Sequence, residues 1–293
     1  MKILRINQMK LKDLRKKLAD ELACCAFEEA EFEADCIVAD LVGVSNSVLR
    51  VLGETQADNE IISKADEFVS RRLNGEPLQY ILGKWEFYGL DFFVGEGVLI
   101  PRPETELLVD IALKFAENKK NISVFDLCSG SGCIGITVGK QLHGSDVTVL
   151  EKSDKALEYL IKNKEFNYAD NVTVVKGDLF DGADLFNGKM CDILLSNPPY
   201  ICRDVIPTLQ REVLSEPEMA LDGGVDGLDF YRGIAEKWSS CVKPDGMVAV
   251  EIGEEQGNDV SLIFAEYFSE VDVVKDFSGN DRVVTAKNKI LEK

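Results

Sequence analysis

The first quarter of the chain carries apolar residues at helical spacing. Three stripes recur every three or four residues, which is the pattern of amphipathic helices. The stripes are Leu11, Leu14, Leu18 and Leu22, then Ala30, Ala34, Ile37, Val38 and Leu41, and finally Ile61, Ala65, Phe68, Val69 and Arg72. The sequence Val-Ser-Asn-Ser at 44–47 predicts a turn and a helix cap. We therefore predict helices over residues 1 to about 75, within a small domain of residues 1–80.

The pattern changes at Glu86. The segment EFYGLDFFV alternates and carries a glycine near its middle, which is typical of a β-hairpin. We expect this hairpin to form a linker over residues 81–100. The next segment, VLIPRPETELLVDIALKFA, has helix-start residues at 103–105 and is amphipathic beyond them.

Beyond residue 120, short apolar runs alternate with amphipathic stretches. This alternation predicts an α/β domain over residues 101–293, with a mostly parallel sheet covered on both faces. The predicted strands are 122–128, 146–151, 172–177, 191–196, 246–252, 269–277 and 281–287, and the predicted helices are 132–142, 154–167, 228–241 and 255–267. Only Ser-Gly-Asn separates the last two strands, so we expect them to form an antiparallel hairpin.

The charge of the chain bears on its partners. There are 33 basic and 52 acidic residues, a net charge of −19. Proteins that hold duplex DNA generally present a basic face, because neutralising phosphates supplies much of the affinity. The composition therefore argues against a nucleic-acid substrate and is compatible with a protein partner or a small molecule.

Cysteine and histidine usage argues against a metal site. The eight cysteines contain no Cys-x-x-Cys pair, and His143 is the single histidine. We interpret the cysteines as reduced core residues and His143 as a surface residue. This interpretation argues against histidine-based catalysis. No apolar run approaches the roughly 18 residues that span a bilayer, and the N-terminus lacks secretory-signal features. We expect a cytoplasmic protein without membrane or metal.

A glycine-rich turn follows the first strand of the α/β region. In VFDLCSGSGCIGI, Gly130, Gly132 and Gly135 satisfy G-x-G-x-x-G, and Glu151 ends the next strand, which is formally the dinucleotide fingerprint. Asp126, just before the glycines, would crowd a pyrophosphate with negative charge. S-adenosylmethionine carries an ammonium and a sulfonium instead, which that carboxylate favours.

Further acids follow neighbouring strands. Glu151 suits the two ribose hydroxyls, and Asp178 ends the third strand, where the adenine edge would lie. Since open α/β sheets bind ligands at the carboxyl ends of their strands, a methyl-donor site is the better fit.

The fourth strand ends in Asn197-Pro198-Pro199-Tyr200. The residue before a proline is extended, so this segment is stiff. The Asn197 side-chain oxygen and the Pro198 carbonyl are two acceptors, and Tyr200 offers a flat face. Such a site suits an NH₂ group on a planar system: a carboxamide, or an adenine or cytosine amine. Orienting that nitrogen toward a sulfonium methyl requires no strong base.

These segments resemble a family. Asn197–Tyr200 with DLCSGSG (126–132), RRLNGEPLQYILG (71–83), PRPETE (101–106), GGVDGLDFYR (223–232) and EIGEEQG (251–257) look like the protein-glutamine N5-methyltransferases that modify peptide-chain release factors. The resemblance implies a seven-stranded Rossmann-like methyltransferase sheet and S-adenosylmethionine as methyl donor. It implies class I release factors as partners, with methyl transfer to the glutamine of their Gly-Gly-Gln motif.

The resemblance also implies roles for individual residues. The implied cofactor-binding residues are Asp126, Cys128, Ser129, Gly130, Ser131, Gly132, Glu151, Asp178, Leu179 and Asn197. The implied substrate-binding residues are Arg102, Thr105, Asn197, Pro198, Pro199 and Tyr200, of which Asn197, Pro198 and Tyr200 are the catalytic candidates. Two residues depart from the family pattern: Glu151 replaces a common aspartate, and Leu179 stands where some relatives place an aromatic.

Other functions remain open from the sequence. A ribosomal-protein glutamine is a second acceptor, and adenine N6 of a nucleic acid is a third, although base flipping would need a basic channel. A non-catalytic adenosyl-binding module and an NAD oxidoreductase are alternatives of a different class.

Overall fold

The structure is a computed structural model, and it describes residues 9–24 and 29–290. The chain divides into two compact units, Met1–Gly83 and Lys84–Lys293. The helical prediction for residues 1–8 and 25–28, and Cys25 with it, lies outside the described residues.

The first unit is helical, as predicted. Its helices are α1 (Leu11–Ala23), α2 (Ala30–Val42), α3 (Asn46–Val51), α4 (Asn59–Leu73) and α5 (Leu78–Leu82). The α1 stripe of four leucines is buried, which explains why this short helix is stable. Arg72 is buried among the helices and donates two hydrogen bonds of 2.8 Å to the Glu33 carboxylate, so the charge is paired.

The second unit begins with a two-stranded hairpin. Strands β1 (Lys84–Phe87) and β2 (Leu90–Phe93) are antiparallel. Their two-residue turn, Tyr88-Gly89, has positive φ at both positions, 53° and 74°, which matches the twist of a tight hairpin. The Asn163 side chain accepts a hydrogen bond from the Phe93 amide and donates one to the Phe93 carbonyl, which ties the hairpin to this unit.

A seven-stranded sheet organises the rest of the second unit. Its order is β5-β4-β3-β6-β7-β9-β8, with β9 antiparallel to both neighbours and the other pairs parallel. The strands are β3 (Ser123–Leu127), β4 (Asp146–Glu151), β5 (Val172–Lys176), β6 (Cys191–Ser196), β7 (Val242–Glu251), β8 (Phe268–Lys275) and β9 (Asp281–Lys289). The predicted mostly parallel sheet with a C-terminal antiparallel hairpin is confirmed.

One strand begins earlier than the sequence predicts. β7 starts at Val242, opposite Cys191, and then shifts register before Met247 pairs with Ile193. The extra residues include Pro244, which has no backbone N–H to donate. An irregularity in the strand accommodates it, since a proline at a bulge removes no ladder hydrogen bond.

Helices cover both faces of the sheet. They are α6 (Glu106–Ala116), α7 (Cys133–Gln141), α8 (Asp154–Phe166), α9 (Asp229–Trp238) and α10 (Gly257–Ala265). Successive strand residues point to opposite faces, so Val124 enters one hydrophobic cluster with α6, α7 and α8, while Phe125 enters the other with α9 and α10. Because β3, β4, β5, β6 and β7 run parallel, their carboxyl ends meet at one edge of the sheet.

Several smaller expectations can be compared directly. Cys133, Cys191 and Cys241 are buried free thiols, and His143 is exposed, as predicted. The interpretation of the cysteines as core residues is wrong for Cys24, which is exposed, and for Cys36, Cys128 and Cys202, which are half-buried. Within residues 9–24 and 29–290, no helix combines the length and the apolar character needed to cross a bilayer.

Candidate active site

A cavity of about 420 Å³ lies at the carboxyl edge of the sheet. It is lined by the segment before α6, by the glycine turn after β3 and by the residues that follow β4, β5 and β6. Its walls include residues 96–102, 128–131, 150–153, 177–180 and 215–217, together with Asn197, Pro199 and Phe230. Most of the sequence-predicted site residues are therefore brought to one place.

The glycine turn exposes backbone to this cavity. Cys128 and Gly130 both have positive φ, 58° and 55°, and nothing lies within 4 Å of the position that a Gly130 Cβ would occupy. Gly135, the third glycine, has a different role. A Cβ there would lie 2.4 Å from Val149 Cγ1 and 2.9 Å from Asp126 Oδ2, so only glycine lets α7 pack this close to the sheet.

Asp126 does not line the cavity. Its side chain is fully buried beneath the turn, where Oδ2 accepts a hydrogen bond of 3.0 Å from the Gly135 amide in the first turn of α7. Among the described residues, Oδ1 has no hydrogen-bond partner. Burial raises the pKa of this carboxyl to about 7, although the Gly135 amide opposes the shift. The structure thus places Asp126 behind the turn, where it supports the backbone.

Glu151 holds the turn from the next strand. Its Oε2 accepts from the Gly130 amide at 2.8 Å, and its Oε1 accepts from the amides of Lys152 and Ser153 at 2.8 and 2.7 Å. Burial raises the pKa of Glu151, and these three amides offset part of that shift. The carboxylate lines the cavity and retains unused lone pairs, since each oxygen has two acceptor positions.

The residues that follow β5, together with Phe230 on α9, contribute a carboxylate and an apolar surface to the cavity. Asp178 caps a 3₁₀ turn by accepting from the Phe180 amide at 3.0 Å and pairs with Lys152 at 2.7 Å. Leu179 is buried but reaches the cavity wall. Phe180 and Phe230 also line the cavity, with ring centroids 5.2 Å apart. The sequence analysis did not identify these two aromatic residues, because Phe230 lies on α9, far away in the chain.

Asn197 stands at the opposite side of the cavity. Its Nδ2 donates to Thr105 Oγ1 at 3.1 Å, and the Thr105 hydroxyl lies 2.6 Å from Glu251 Oε2. Pro199 lines the cavity as well, whereas Pro198 and Tyr200 do not. We call the segment Asn197–Pro199 the acceptor rim. The Tyr200 hydroxyl lies 3.5 Å from Glu251 Oε1, so Tyr200 points behind the acceptor rim toward the same carboxylate.

The glycine-rich segment of residues 223–227 packs against the backbone that follows Asn197. A Cβ on Gly223 would lie 2.7 Å from Tyr200 Cα, so the segment Gly-Gly-Val-Asp-Gly can pack on the Tyr200 backbone only with glycine at this position. Ile201 and Asp222 form an isolated parallel bridge beside it.

A half-buried ion pair forms another part of the cavity wall. Arg102 pairs with Glu216, and the Glu216 carboxylate also accepts from the Ile100 amide at 3.0 Å. Burial raises the pKa of Glu216, and Arg102 opposes that shift. Glu216 was not identified from the sequence, since nothing in its local pattern connects it with a segment 114 residues earlier.

Metal ligands do not gather in the described part of the chain. Residues 9–24 and 29–290 contain no group of three or more His, Cys, Asp or Glu side chains arranged to hold an ion.

Two family models match parts of the chain. Residues 13–83 match the family model of the PrmC N-terminal domain, and residues 104–224 match that of the methyltransferase small domain. The chain is similar to the hMettl16 catalytic domain, solved in complex with the MAT2A 3'UTR hairpin 6, with a TM-score of 0.56 and 15% identity. That match covers 80% of this chain and 85% of the other, and it shows the fold alone.

Two curated relatives share one name, release factor glutamine methyltransferase. The protein of Fusobacterium nucleatum is 39% identical over 261 residues, which cover 88% of this chain and 73% of the relative. The protein of Aquifex aeolicus is 32% identical over 287 residues, which cover 98% of each chain. Identity at this level over nearly full length shows that the chain belongs to the family of release factor glutamine methyltransferases, enzymes that use a methyl donor.

Proposed function

We propose that the protein transfers a methyl group from S-adenosylmethionine to the side-chain amide nitrogen, N5, of the glutamine in the Gly-Gly-Gln motif of class I release factors. The observation that carries this proposal is the orientation of the Asn197 amide. Its Nδ2 is engaged by Thr105, which leaves Oδ1 free to accept a hydrogen bond from a substrate NH₂ group.

The cavity lining supports S-adenosylmethionine as the methyl donor. The open space at Gly130 lets a ligand approach the turn backbone, Glu151 offers acceptor lone pairs to ribose hydroxyls, and Phe180 and Phe230 offer apolar rings to a base. The residues Cys128, Ser129, Gly130 and Ser131, with Asp178 and Leu179, complete the proposed cofactor wall. When bound, S-adenosylmethionine supplies an electrophilic methyl group on a sulfonium.

The acceptor rim fits a planar carboxamide. Asn197 Oδ1 is one acceptor in the cavity lining. We propose the Pro198 carbonyl oxygen as the second: Pro198 itself does not line the cavity, but no donor among the described residues bonds to this oxygen. Holding both amide hydrogens fixes the nitrogen in one direction, and such orientation can lower a barrier by several kcal/mol, up to about 10. These oxygens also stabilise the positive charge that develops on the nitrogen.

The remaining assignments stay predictions. We propose that Arg102 and Thr105 contact the substrate segment, that Pro198, Pro199 and Tyr200 shape the rim, and that Gly132 and Asp126 support the cofactor turn from behind. The helical region of residues 1–80 is proposed to dock the release factor, with residues 81–100 as a linker and residues 101–293 as the methyltransferase domain. A cytoplasmic location remains the prediction from the sequence.

A direct assay tests the proposal. The protein is incubated with methyl-labelled S-adenosylmethionine and a class I release factor whose motif glutamine is intact or changed to alanine. We expect label only on the intact factor, with mass spectrometry placing one methyl group on that glutamine. Equal labelling of both factors would refute the assignment, as would preferential labelling of ribosomal proteins or adenine-containing DNA offered in parallel.

A further inference from the structure

Three side chains from distant parts of the second unit form a hydrogen-bonded chain behind the acceptor rim. Asn197 follows β6, Thr105 precedes α6, and Glu251 ends β7. Their contacts join residues 92 and 146 positions apart. We propose that Glu251, acting through the Thr105 hydroxyl, is a positioning residue that fixes which end of the Asn197 amide faces the substrate. This inference deepens the proposed function and depends on it only for the identity of the substrate.

The chemistry of the three groups sets a direction. An ionised carboxylate can only accept hydrogen bonds, and a hydroxyl has a single proton to donate. With Glu251 ionised, the Thr105 proton goes to Glu251 Oε2, so Thr105 Oγ1 can only accept. It then selects the NH₂ end of Asn197 and leaves the carbonyl end for the cavity. An amide turned the other way would place its oxygen against the Thr105 oxygen, with no hydrogen between them.

A protonated Glu251 would remove this constraint. It could donate to Thr105, whose own proton would then be free for Asn197 Oδ1. The amide would turn its NH₂ group toward the substrate NH₂ group, two donors facing each other. We call the hydrogen-bonded chain Glu251–Thr105–Asn197 the relay. It has a productive state with Glu251 ionised and an unproductive state with Glu251 protonated.

The surroundings of Glu251 bring the protonation of its carboxylate into an experimentally accessible pH range. The residue is 2% exposed, and burial raises its pKa to about 7. The Thr105 hydroxyl and Arg282 oppose that shift, while Glu104 adds to it. The groups that face Glu251 are Thr105 and Glu104 before α6, Tyr200 after β6, Tyr231 on α9, Cys133 on α7 and Arg282 on β9. The Tyr231 hydroxyl donates to the Glu251 backbone carbonyl at 2.9 Å, which holds the strand end in place.

Isosteric variants isolate the hydroxyl. Thr105→Val should lower kcat about 10- to 100-fold, the usual range for losing a hydrogen bond to a charged group, with cofactor affinity within about threefold. Thr105→Ser keeps the hydroxyl and should lose no more than about threefold. The matched control is Thr148→Val, because the buried Thr148 hydroxyl has no hydrogen-bond partner among the described residues. Thr148→Val should keep the wild-type kcat, whereas Thr105→Val should also melt at a lower temperature, because the buried Glu251 carboxylate loses a hydrogen-bond donor.

The pH profile isolates the carboxylate. In the wild-type enzyme kcat should fall below pH 7, reaching about a tenth of its plateau one unit below the pKa, because Glu251 becomes protonated. Glu251→Gln has no carboxyl group at this position, so the fall in kcat below pH 7 should disappear, even if the kcat of this variant is lower at every pH. Burial also raises the pKa of Asp126 to about 7, so a fall in kcat at low pH that survives in Glu251→Gln would be assigned to Asp126 instead.

A spectroscopic readout tests the relay without turnover. In protein labelled with ¹⁵N-asparagine, the Asn197 side-chain amide, assigned by its loss in Asn197→Ala, should shift with a midpoint near pH 7. The shift should disappear in Glu251→Gln and Thr105→Val. A resonance that stays still in the wild-type protein, or Thr105→Val with the kcat of Thr148→Val, overturns the relay. A titrating amide in a protein that methylates no release factor would instead refute the proposed function and leave the relay standing.

Discussion

The two ends of the cavity are built in different ways. The proposed cofactor end is organised around the glycine turn, and its central contact joins the Gly130 amide to the Glu151 carboxylate, 21 residues apart. The acceptor end consists of side chains, and its contacts join Asn197 to Thr105 and Thr105 to Glu251, 92 and 146 residues apart. The first is one strand-turn-helix unit and its neighbouring strand, whereas the second exists only after several strands have assembled.

This difference has a consequence for specificity. The Ser129, Gly130 and Gly132 amides of the turn are already hydrogen-bonded within the protein, so the shape of the cofactor end depends mainly on backbone conformation. A side-chain amide can turn, so the acceptor end depends on the groups that orient it. Substitutions at the cofactor end should therefore alter the binding of S-adenosylmethionine, and substitutions at the acceptor end should alter turnover.

The largest effect should come from Asn197→Ala. Removing the side-chain acceptor leaves the substrate nitrogen unoriented, so kcat should fall at least about 100-fold. The affinity for S-adenosylmethionine, measured by calorimetry, should stay within about threefold. Asn258→Ala, at an exposed position on α10, is the control and should change neither quantity. An Asn197→Ala variant with wild-type turnover would show that this amide does not hold the acceptor.

Gly130→Val should produce the complementary result. A branched side chain would fill the open space at the turn, and the left-handed backbone there disfavours it. We expect the dissociation constant of S-adenosylmethionine to rise about 30-fold, an estimate from the loss of direct backbone contacts.

Gly144→Val is the matched control for this substitution. Gly144 also has positive φ and open space around its Cβ position, yet it lies between α7 and β4, outside the cavity lining. Both variants should lose stability through backbone strain, and only Gly130→Val should weaken cofactor binding. Equal binding by the two variants would remove the turn from the cofactor site.

Glu151→Gln should have a smaller effect at the same end. Glutamine has one acceptor oxygen, and its NH₂ group would oppose one of the three amides that Glu151 now satisfies. We expect about a 5- to 10-fold weaker affinity for S-adenosylmethionine with kcat nearly unchanged. Glu158→Gln, an exposed carboxylate on α8, should leave binding at the wild-type level. A loss of kcat without a loss of affinity would assign Glu151 to the acceptor end instead.

Much of the fold could be predicted from periodicity. Buried parallel strands are short apolar runs, and the helices between them show amphipathic spacing, so each strand after residue 120 was located from its own residues. The start of β7 is the exception: the predicted strand begins at residue 246, whereas β7 begins at Val242, through an irregular pairing with β6. The N-terminal stripes likewise predicted α1, α2 and α4.

The site was predictable where its motif is continuous in sequence. The glycine turn and Asn197–Tyr200 each occupy a few consecutive residues, and the family resemblance that they carry is confirmed. The placement of individual side chains was less accessible. Asp126 was expected to face a cationic cofactor, but the structure buries it against the Gly135 amide. Tyr200 was expected to offer a flat face to the substrate, which stays a prediction; its hydroxyl lies 3.5 Å from Glu251 Oε1, and it does not line the cavity.

The sequence by itself determined the order of helices and strands, the glycine turn, the rigid Asn-Pro-Pro-Tyr segment and the family. These are properties of neighbouring residues, whose spacing and backbone restrictions act locally. Only the tertiary structure decided that Thr105 and Glu251 stand behind Asn197, that Glu216 is paired with Arg102, and that Phe230 joins Phe180 at the wall. Parallel strands bring their ends to one edge from distant parts of the chain, so these contacts follow from strand order, which no local pattern encodes.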